Sequence, residues 1–227
     1  MTGLPLIVTR ADPGAAATAE RARVLGIDAH AMPLFAARAL PWSPPDPAAF
    51  DALLLTSAQA ARLGGPGLAA LAALPVHAVG AATARAAEAA GLRVATVGPG
   101  TAQGLFAALE ARGPARILWL CGRERTAFDA RGADIVPLSV YAAEAVDPPP
   151  GWAALIAAPA VVMAHSARGA ARAADLAGAA RKHLTLLAIS PKAADAAGPG
   201  WGDVRMAAHP DDAAMLAEAH ALCHKGE

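Results

Sequence analysis

The sequence predicts an α/β fold made of two parallel-sheet domains. Three observations carry that prediction: short β-rich runs alternate with Ala-rich helical stretches, the chain resembles itself at a nearly constant offset, and two Pro-rich segments cut it into three pieces. Parallel strands need crossover connections, so strands joined by helices imply a parallel sheet.

The elements follow in order. Leu6-Ile7-Val8-Thr9 reads as a buried strand, and residues 14–25 as a helix ended by Gly26 at the C′ position. A second strand over 28–34 runs into Pro33. Leu53-Leu54-Leu55 is a further buried strand, followed by Thr56-Ser57 and a helix from Ala58. Val76 to Val79 is a strand ending at Gly80, with a helix over 82–90 stopped by Gly91. The stretch from Cys121 to Gly132 is short for a full helix with its loops, so an abbreviated edge is expected there.

The repeat is legible in three places. Leu54-Leu55-Thr56-Ser57-Ala58 resembles Met163-Ala164-His165-Ser166-Ala167. Ala78-Val79-Gly80 resembles Ala188-Ile189-Ser190, and Gly26-Ile27-Asp28 ahead of Pro33-Leu34 resembles Gly132-Ala133-Asp134 ahead of Pro137-Leu138. The matches keep chain order, as a duplication of about half the chain requires. The Pro-rich segments follow each Pro-Leu strand: Pro41, Pro44, Pro45 and Pro47 in one, Pro148, Pro149 and Pro150 in the other. Such stretches are stiff and extended and suit linkers. We therefore expect residues 1–37 plus 151–227 to form one discontinuous α/β domain and 45–140 a second. Segments 38–44 and 141–150 would be the linkers, with a ligand in the cleft between domains.

Composition limits the function. With 19 Lys+Arg against 19 Asp+Glu, the formal net charge is zero, which argues against a broad electrostatic grip on nucleic acid or an anionic membrane. Charged residues are 17% and mean hydropathy is +0.37, so the chain is not disordered. Alanine supplies much of that hydropathy. Cys121 and Cys223 cannot make a disulfide framework. No segment offers about 18 consecutive strongly apolar residues, and MTGLPLIVTR has no basic stretch before a long apolar run. A soluble, cytoplasmic protein is expected.

Common motifs are missing: no P-loop, no Rossmann glycine fingerprint, no H-E-x-x-H and no paired C-x-x-C. His220, Cys223 and His224 share the i, i+3, i+4 spacing of one helix face, but a frayed C-terminal helix is the preferred reading and no metal is expected. Cys121 follows an apolar run and reads as a small core residue.

The informative positions stand where strands end and helices begin: Thr9-Arg10, Thr56-Ser57, Gly80 to Thr83, His165-Ser166 and Ser190 to Lys192. Ligands of open α/β sheets bind at the carboxyl ends of strands, and helix N-termini there receive carboxylates or phosphates. The same residues are ordinary N-caps, and taken singly each reads first as a cap. Several such loops at one ligand shift the reading toward anion binding. Tyr141, the lone tyrosine, lies in Val140-Tyr141-Ala142 before the second linker. It would either present its phenol to the cleft or pack the linker as a rim aromatic.

The whole chain resembles the uroporphyrinogen-III synthase family. The resemblance rests on Leu6-Ile7-Val8-Thr9-Arg10, Pro33-Leu34, Thr56-Ser57-Ala58, Ala78-Val79-Gly80 with Thr83-Ala84, Val140-Tyr141, His165-Ser166-Ala167-Arg168 and Pro210-Asp211. Each motif is loose, and their order over nearly the full chain gives the likeness its specificity. It implies two flavodoxin-like or Rossmann-like domains joined by a two-stranded connection. It also implies a lyase that takes hydroxymethylbilane, removes its terminal hydroxyl as water, and closes the ring with inversion of the last pyrrole. No cofactor or metal is implied. On this reading Tyr141 donates a hydrogen bond to the departing hydroxyl, and Thr9, Arg10, Thr56, Ser57, Gly80, Thr83, His165, Ser166, Arg168, Ser190 and Lys192 hold carboxylates. The protein would act as a monomer, with transient contact to the preceding pathway enzyme. Two departures stand out. Ser190-Pro191-Lys192-Ala193 replaces the family's Gly followed by hydroxyl residues, leaving Lys192 as a point charge, and Gln59 stands where some members carry Arg. The competing reading is a non-catalytic two-domain small-molecule binder or sensor.

Overall fold

The computed structural model describes residues 3–109 and 115–224. The chain divides into two compact units, Met1–Ala36 with Glu144–Glu227, and Ala37–Ala143. The divisions fall inside two strands, a few residues from the Pro-rich segments.

Unit 1 holds a five-stranded, all-parallel sheet in the order β11-β10-β9-β1-β2. Its strands are β1 (Leu6–Val8), β2 (Ala29–Ala31), β9 (Val161–Ala164), β10 (Thr185–Ala188) and β11 (Asp203–Met206). The central strands are apolar at every position because both faces are covered. Ile7, Val162, Ala164, Leu186 and Ala188 pack beneath α6 (Ala167–Ala177) and α7 (Pro191–Ala197), while Leu6, Val8, Val161, Met163 and Leu187 pack on the opposite face against α1 (Gly14–Val24) and α8 (Asp212–Cys223). Alanines line the buried sides of α1 and α6, so these helices lie close to the sheet.

Unit 2 repeats the plan, in the order β3-β8-β7-β4-β5-β6. Its strands are β3 (Phe35–Ala39), β4 (Ala52–Leu55), β5 (Val76–Ala78), β6 (Val94–Val97), β7 (Arg116–Gly122) and β8 (Asp134–Ala145). Strands β4 to β8 are parallel. β3 runs against β8: Leu40 N–H donates to Val140 O at 2.9 Å and Val146 N–H to Leu34 O at 3.1 Å, so one index falls as the other rises. Leu53, Leu55, Leu118 and Leu120 face α2 (Ala58–Leu63) and α3 (Ala81–Ala89), while Leu54, Ile117, Trp119 and Cys121 face α4 (Ala102–Ala108) and Phe128. Cys121 is a core residue, as the sequence suggests.

Two sequence expectations need correction. The strand foreseen over 28–34 stops at Ala31, and the chain restarts as β3 in the other sheet. Hydrogen bonding to the β1 segment persists past that point, with Met32 N–H donating to Val8 O at 2.9 Å and Leu34 N–H to Thr9 O at 3.1 Å, and Pro33 sits where an edge strand tolerates a missing N–H. The expected strand to Val79 closes at Ala78, although Val79 N–H still donates to Leu55 O. The abbreviated edge is present: no helix stands between β7 and β8, where α1 stands between β1 and β2.

The two sheets share one strand order when β9, β10, β11, β1 and β2 are set against β4, β5, β6, β7 and β8. The sequence repeat, however, runs β1, β2, β4, β5, β6 and then β7 to β11. Each unit is therefore assembled from the first two strands of one copy and the last three of the other.

Candidate functional site

In both units the candidate residues collect at the carboxyl end of the sheet. In unit 1, Thr9-Arg10 follows β1, His165-Ser166 follows β9 and Ser190 follows β10, three neighbouring parallel strands. In unit 2, Thr56-Ser57 follows β4, Gly80 follows β5, and Tyr141 lies in β8 opposite Gly122 at the end of β7.

Three serines are helix caps. Ser57 Oγ accepts from Gln59 N–H at 3.2 Å, Ser166 Oγ from Gly169 N–H at 3.0 Å, and Ser190 Oγ from Ala193 N–H at 3.3 Å. A capping oxygen is occupied, but its own hydrogen remains available to an incoming carboxylate. Thr56 Oγ1 accepts from Trp119 Nε1 at 2.9 Å, which leaves its hydrogen in the same condition. Gly80 caps α3 with extended backbone, and a Cβ there would lie 3.3 Å from Gly100 Cα. The glycine lets the loop after β6 approach the start of α3. Thr83, two positions into that helix, is buried. Arg168 is exposed on α6 with its guanidinium 4.9 Å from the Phe35 ring centroid, and Lys192 is exposed in the first turn of α7.

Thr9 has a different task from the one expected. It is 1% exposed and its hydroxyl donates to Met163 O at 2.8 Å, stitching β1 to β9. Its donor is spent inside unit 1.

Tyr141 is half-buried against the core of unit 2. Its ring lies over Gly122, where a Cβ would come within 3.0 Å of Tyr141 Cζ. Arg123 N–H donates to Tyr141 O at 2.9 Å, so the end of β7 and this strand are tied together beside the ring.

Two of the candidate residues, Arg10 and His165, meet at Asp212, a residue that was not foreseen. Asp212 opens α8 directly after the Asp211 cap, whose Oδ1 accepts from Ala214 N–H at 2.8 Å. Asp212 Oδ1 accepts from Thr18 Oγ1 at 2.7 Å, from Arg10 Nη1 at 3.2 Å and from His165 Nε2 at 3.1 Å. Oδ2 accepts from Arg21 Nε at 3.2 Å and from its Nη2. Burial pushes the Asp212 carboxyl up, but the hydrogen bonds from Thr18, Arg21 and His165, with the charge of Arg21, outweigh it and hold the pKa below the usual value. Burial and the Arg10 and Arg21 charges outweigh Asp212 at His165, whose pKa falls to about 4. His165 is thus neutral at pH 7, donating from Nε2, with Nδ1 buried and unpartnered. A pair of acidic residues opening a helix was the available signal, but Arg10, Thr18 and Arg21 lie 191 to 202 positions away and His165 lies 47 away.

At the C-terminal end of α8, the His220 and His224 ring centroids lie 4.5 Å apart with their planes tilted by 50°, while Cys223 is buried. Among the described residues no group of three or more His, Cys, Asp or Glu could hold a metal ion. No helix among them is long and apolar enough to cross a membrane.

Comparison with known proteins bears on the fold and the family. The crystal structure of uroporphyrinogen-III synthetase from Helicobacter pylori 26695 matches with TM-score 0.61 at 19% identity, covering 96% of this chain and 99% of that one, a likeness of fold. Uroporphyrinogen III synthase from the extremely thermophilic bacterium Thermus thermophilus matches at 22% identity over 96% of this chain and 95% of that one, with TM-score 0.40. No curated protein matches the chain. The family description of uroporphyrinogen-III synthase HemD matches residues 16–217, and the chain belongs to that family of tetrapyrrole-synthesis enzymes.

Proposed function

We propose that this chain is a lyase that closes hydroxymethylbilane, with loss of water and inversion of the terminal pyrrole ring, to give uroporphyrinogen III. The observation that carries the reading is the family match across 16–217. It lends nothing to the non-catalytic binder.

The chemistry suits residues as plain as these. An electron-rich pyrrole expels hydroxide readily and forms an azafulvene, which left alone closes to the uninverted ring. The protein's main task is to hold one conformation in which the new bond forms at the substituted carbon, a contribution of orientation and fixed dipoles. Each unit supplies its own receiving groups for the eight substrate carboxylates. In unit 1 these are Arg10, Ser166, Arg168, Ser190 and Lys192, and in unit 2 Thr56, Ser57, Thr83 and the helix start at Gly80. Thr9 and His165 support this end of unit 1 from within. The Tyr141 hydroxyl donates to the leaving oxygen. The reading places the enzyme in the cytoplasm as a monomer, receiving an unstable substrate by transient contact with the enzyme that makes it.

The test is a turnover assay with freshly prepared hydroxymethylbilane, following its disappearance against the spontaneous rate. Acceleration with release of a type III product supports the proposal. A rate equal to the protein-free control contradicts it.

A further inference from the structure

Arg10 offers five N–H donors, of which Asp212 engages one, at Nη1. The guanidinium lies across the first turn of α1, so close to Gly14 that a Cβ there would sit 2.6 Å from Arg10 Nε and 3.2 Å from Nη2. That is a poor place for a cation, because the N-terminal end of a helix is itself positive. Arg21 brings a second guanidinium to the same carboxylate, and His165 is neutral. Two guanidinium groups therefore share the Asp212 carboxylate, while the nearby Asp12 carboxylate is engaged at the start of α1, accepting from Ala16 N–H at 3.1 Å. Nothing in the fold alone demands this arrangement. In unit 2 the counterpart of α8 is α4, which opens with Ala102 after the Thr101 cap, and α1 has no counterpart.

We propose that Asp212 is a positioning residue: it anchors Arg10 over Gly14, with the remaining guanidinium donors turned to a substrate carboxylate, and makes Arg10 a pre-oriented receptor on unit 1. Thr18 and Arg21 hold the carboxylate, and His165 packs its Nε2 donor against the same oxygen that binds Arg10. Glycine at the start of α1 is part of the device, since it provides the floor on which the guanidinium rests. The inference rests on the proposed substrate and adds how one receptor is built.

The test compares Arg10→Ala, Asp212→Asn, the double variant and Gly14→Ala, using two readouts. One is KM and kcat with hydroxymethylbilane. The other is binding of uroporphyrin, a stable porphyrin octacarboxylate, followed by its fluorescence. Arg10→Ala and Asp212→Asn should each raise KM and the uroporphyrin Kd about five- to twentyfold, equivalent to 1–2 kcal/mol, with kcat within about twofold. The double variant should be no worse than Arg10→Ala, because Asp212 acts through Arg10. Gly14→Ala should raise both constants about two- to fivefold while the melting temperature holds or rises, an effect that a purely structural cluster would not produce. If Asp212→Asn does not fold, Gly14→Ala decides the matter. Wild-type affinity in Gly14→Ala or Asp212→Asn, multiplied effects in the double variant, or a wild-type protein that binds no uroporphyrin would overturn the proposal. Absence of type III product with these binding effects intact would instead remove the proposed reaction and leave the receptor standing.

Discussion

The buried imidazole of His165 makes the stability of unit 1 depend on pH in a way that can be calculated. In the unfolded chain His165 titrates at its ordinary value of 6.5, and in the folded protein at about 4. Between those values the unfolded chain binds a proton that the folded one refuses, so stability is present above pH 6.5 and drains as pH falls toward 4. With those two values, lowering the pH from 7.5 to 4.5 removes about 2.5 kcal/mol through this group alone. His165→Gln keeps a donor for Asp212 and removes the titration. Urea denaturation read by amide exchange at β1 and β9 reports unit 1 by itself. Wild type should lose about 2.5 kcal/mol more than the Gln variant between the two pH values. Parallel losses in both proteins would mean that His165 is not held neutral by its surroundings. Asp212 does not confuse the result, because its folded pKa lies below the usual carboxylate value and its stabilising effect is lost only under more acid conditions.

Other substitutions separate structural from functional roles. Tyr141→Phe should lower kcat about ten- to a hundredfold, the range of a hydrogen bond to a group gaining charge, with an unchanged melting temperature; turnover at the wild-type rate would remove the phenol from the mechanism. Gly122→Ala, whose new methyl would press on the Tyr141 ring, should lower kcat in the same direction but less, and equal kcat in the two proteins would count against a seated phenol. Thr9→Val removes one of the two hydrogen bonds that Met163 O accepts from Thr9, leaving the one from its backbone N–H, and should cost about 0.5–1.5 kcal/mol of stability without altering KM in the folded fraction. Ser57→Ala and Ser166→Ala should each cost about 1 kcal/mol as lost caps and also raise KM; a stability loss with KM untouched would reduce them to caps.

What could be read from the sequence was what is local. Leu53-Leu54-Leu55 and Leu6-Ile7-Val8 announce strands buried on both faces, because three large aliphatics in a row leave neither face of a strand for water. Ser57, Ser166 and Ser190 mark helix starts for the same local reason. The repeat was legible too, since the copies lie in tandem. What stayed hidden needed distance or register. The repeat offset alone does not reveal the exchange of strands between copies, because a tandem repeat gives the same offset whether or not its pieces change partners; that expectation came from the two Pro-rich segments, which cut the chain into three pieces. Thr9 resembled a ligand hydroxyl until β9 was placed beside it. Asp212 passed unnoticed next to a quoted Pro210-Asp211, since its partners Arg10, Thr18, Arg21 and His165 come from three other parts of the chain. The seat of Tyr141 depends on the irregular register between Cys121 and Gly122, which no spacing rule reveals.

The account stands on the claim that this protein directs a cyclisation that would otherwise take the simpler course. The most direct measurement is the ratio of type III to type I uroporphyrinogen formed from hydroxymethylbilane as protein is raised from none to excess. The account predicts that type III rises until it is nearly the sole product. Type I as the dominant product at protein excess would contradict it.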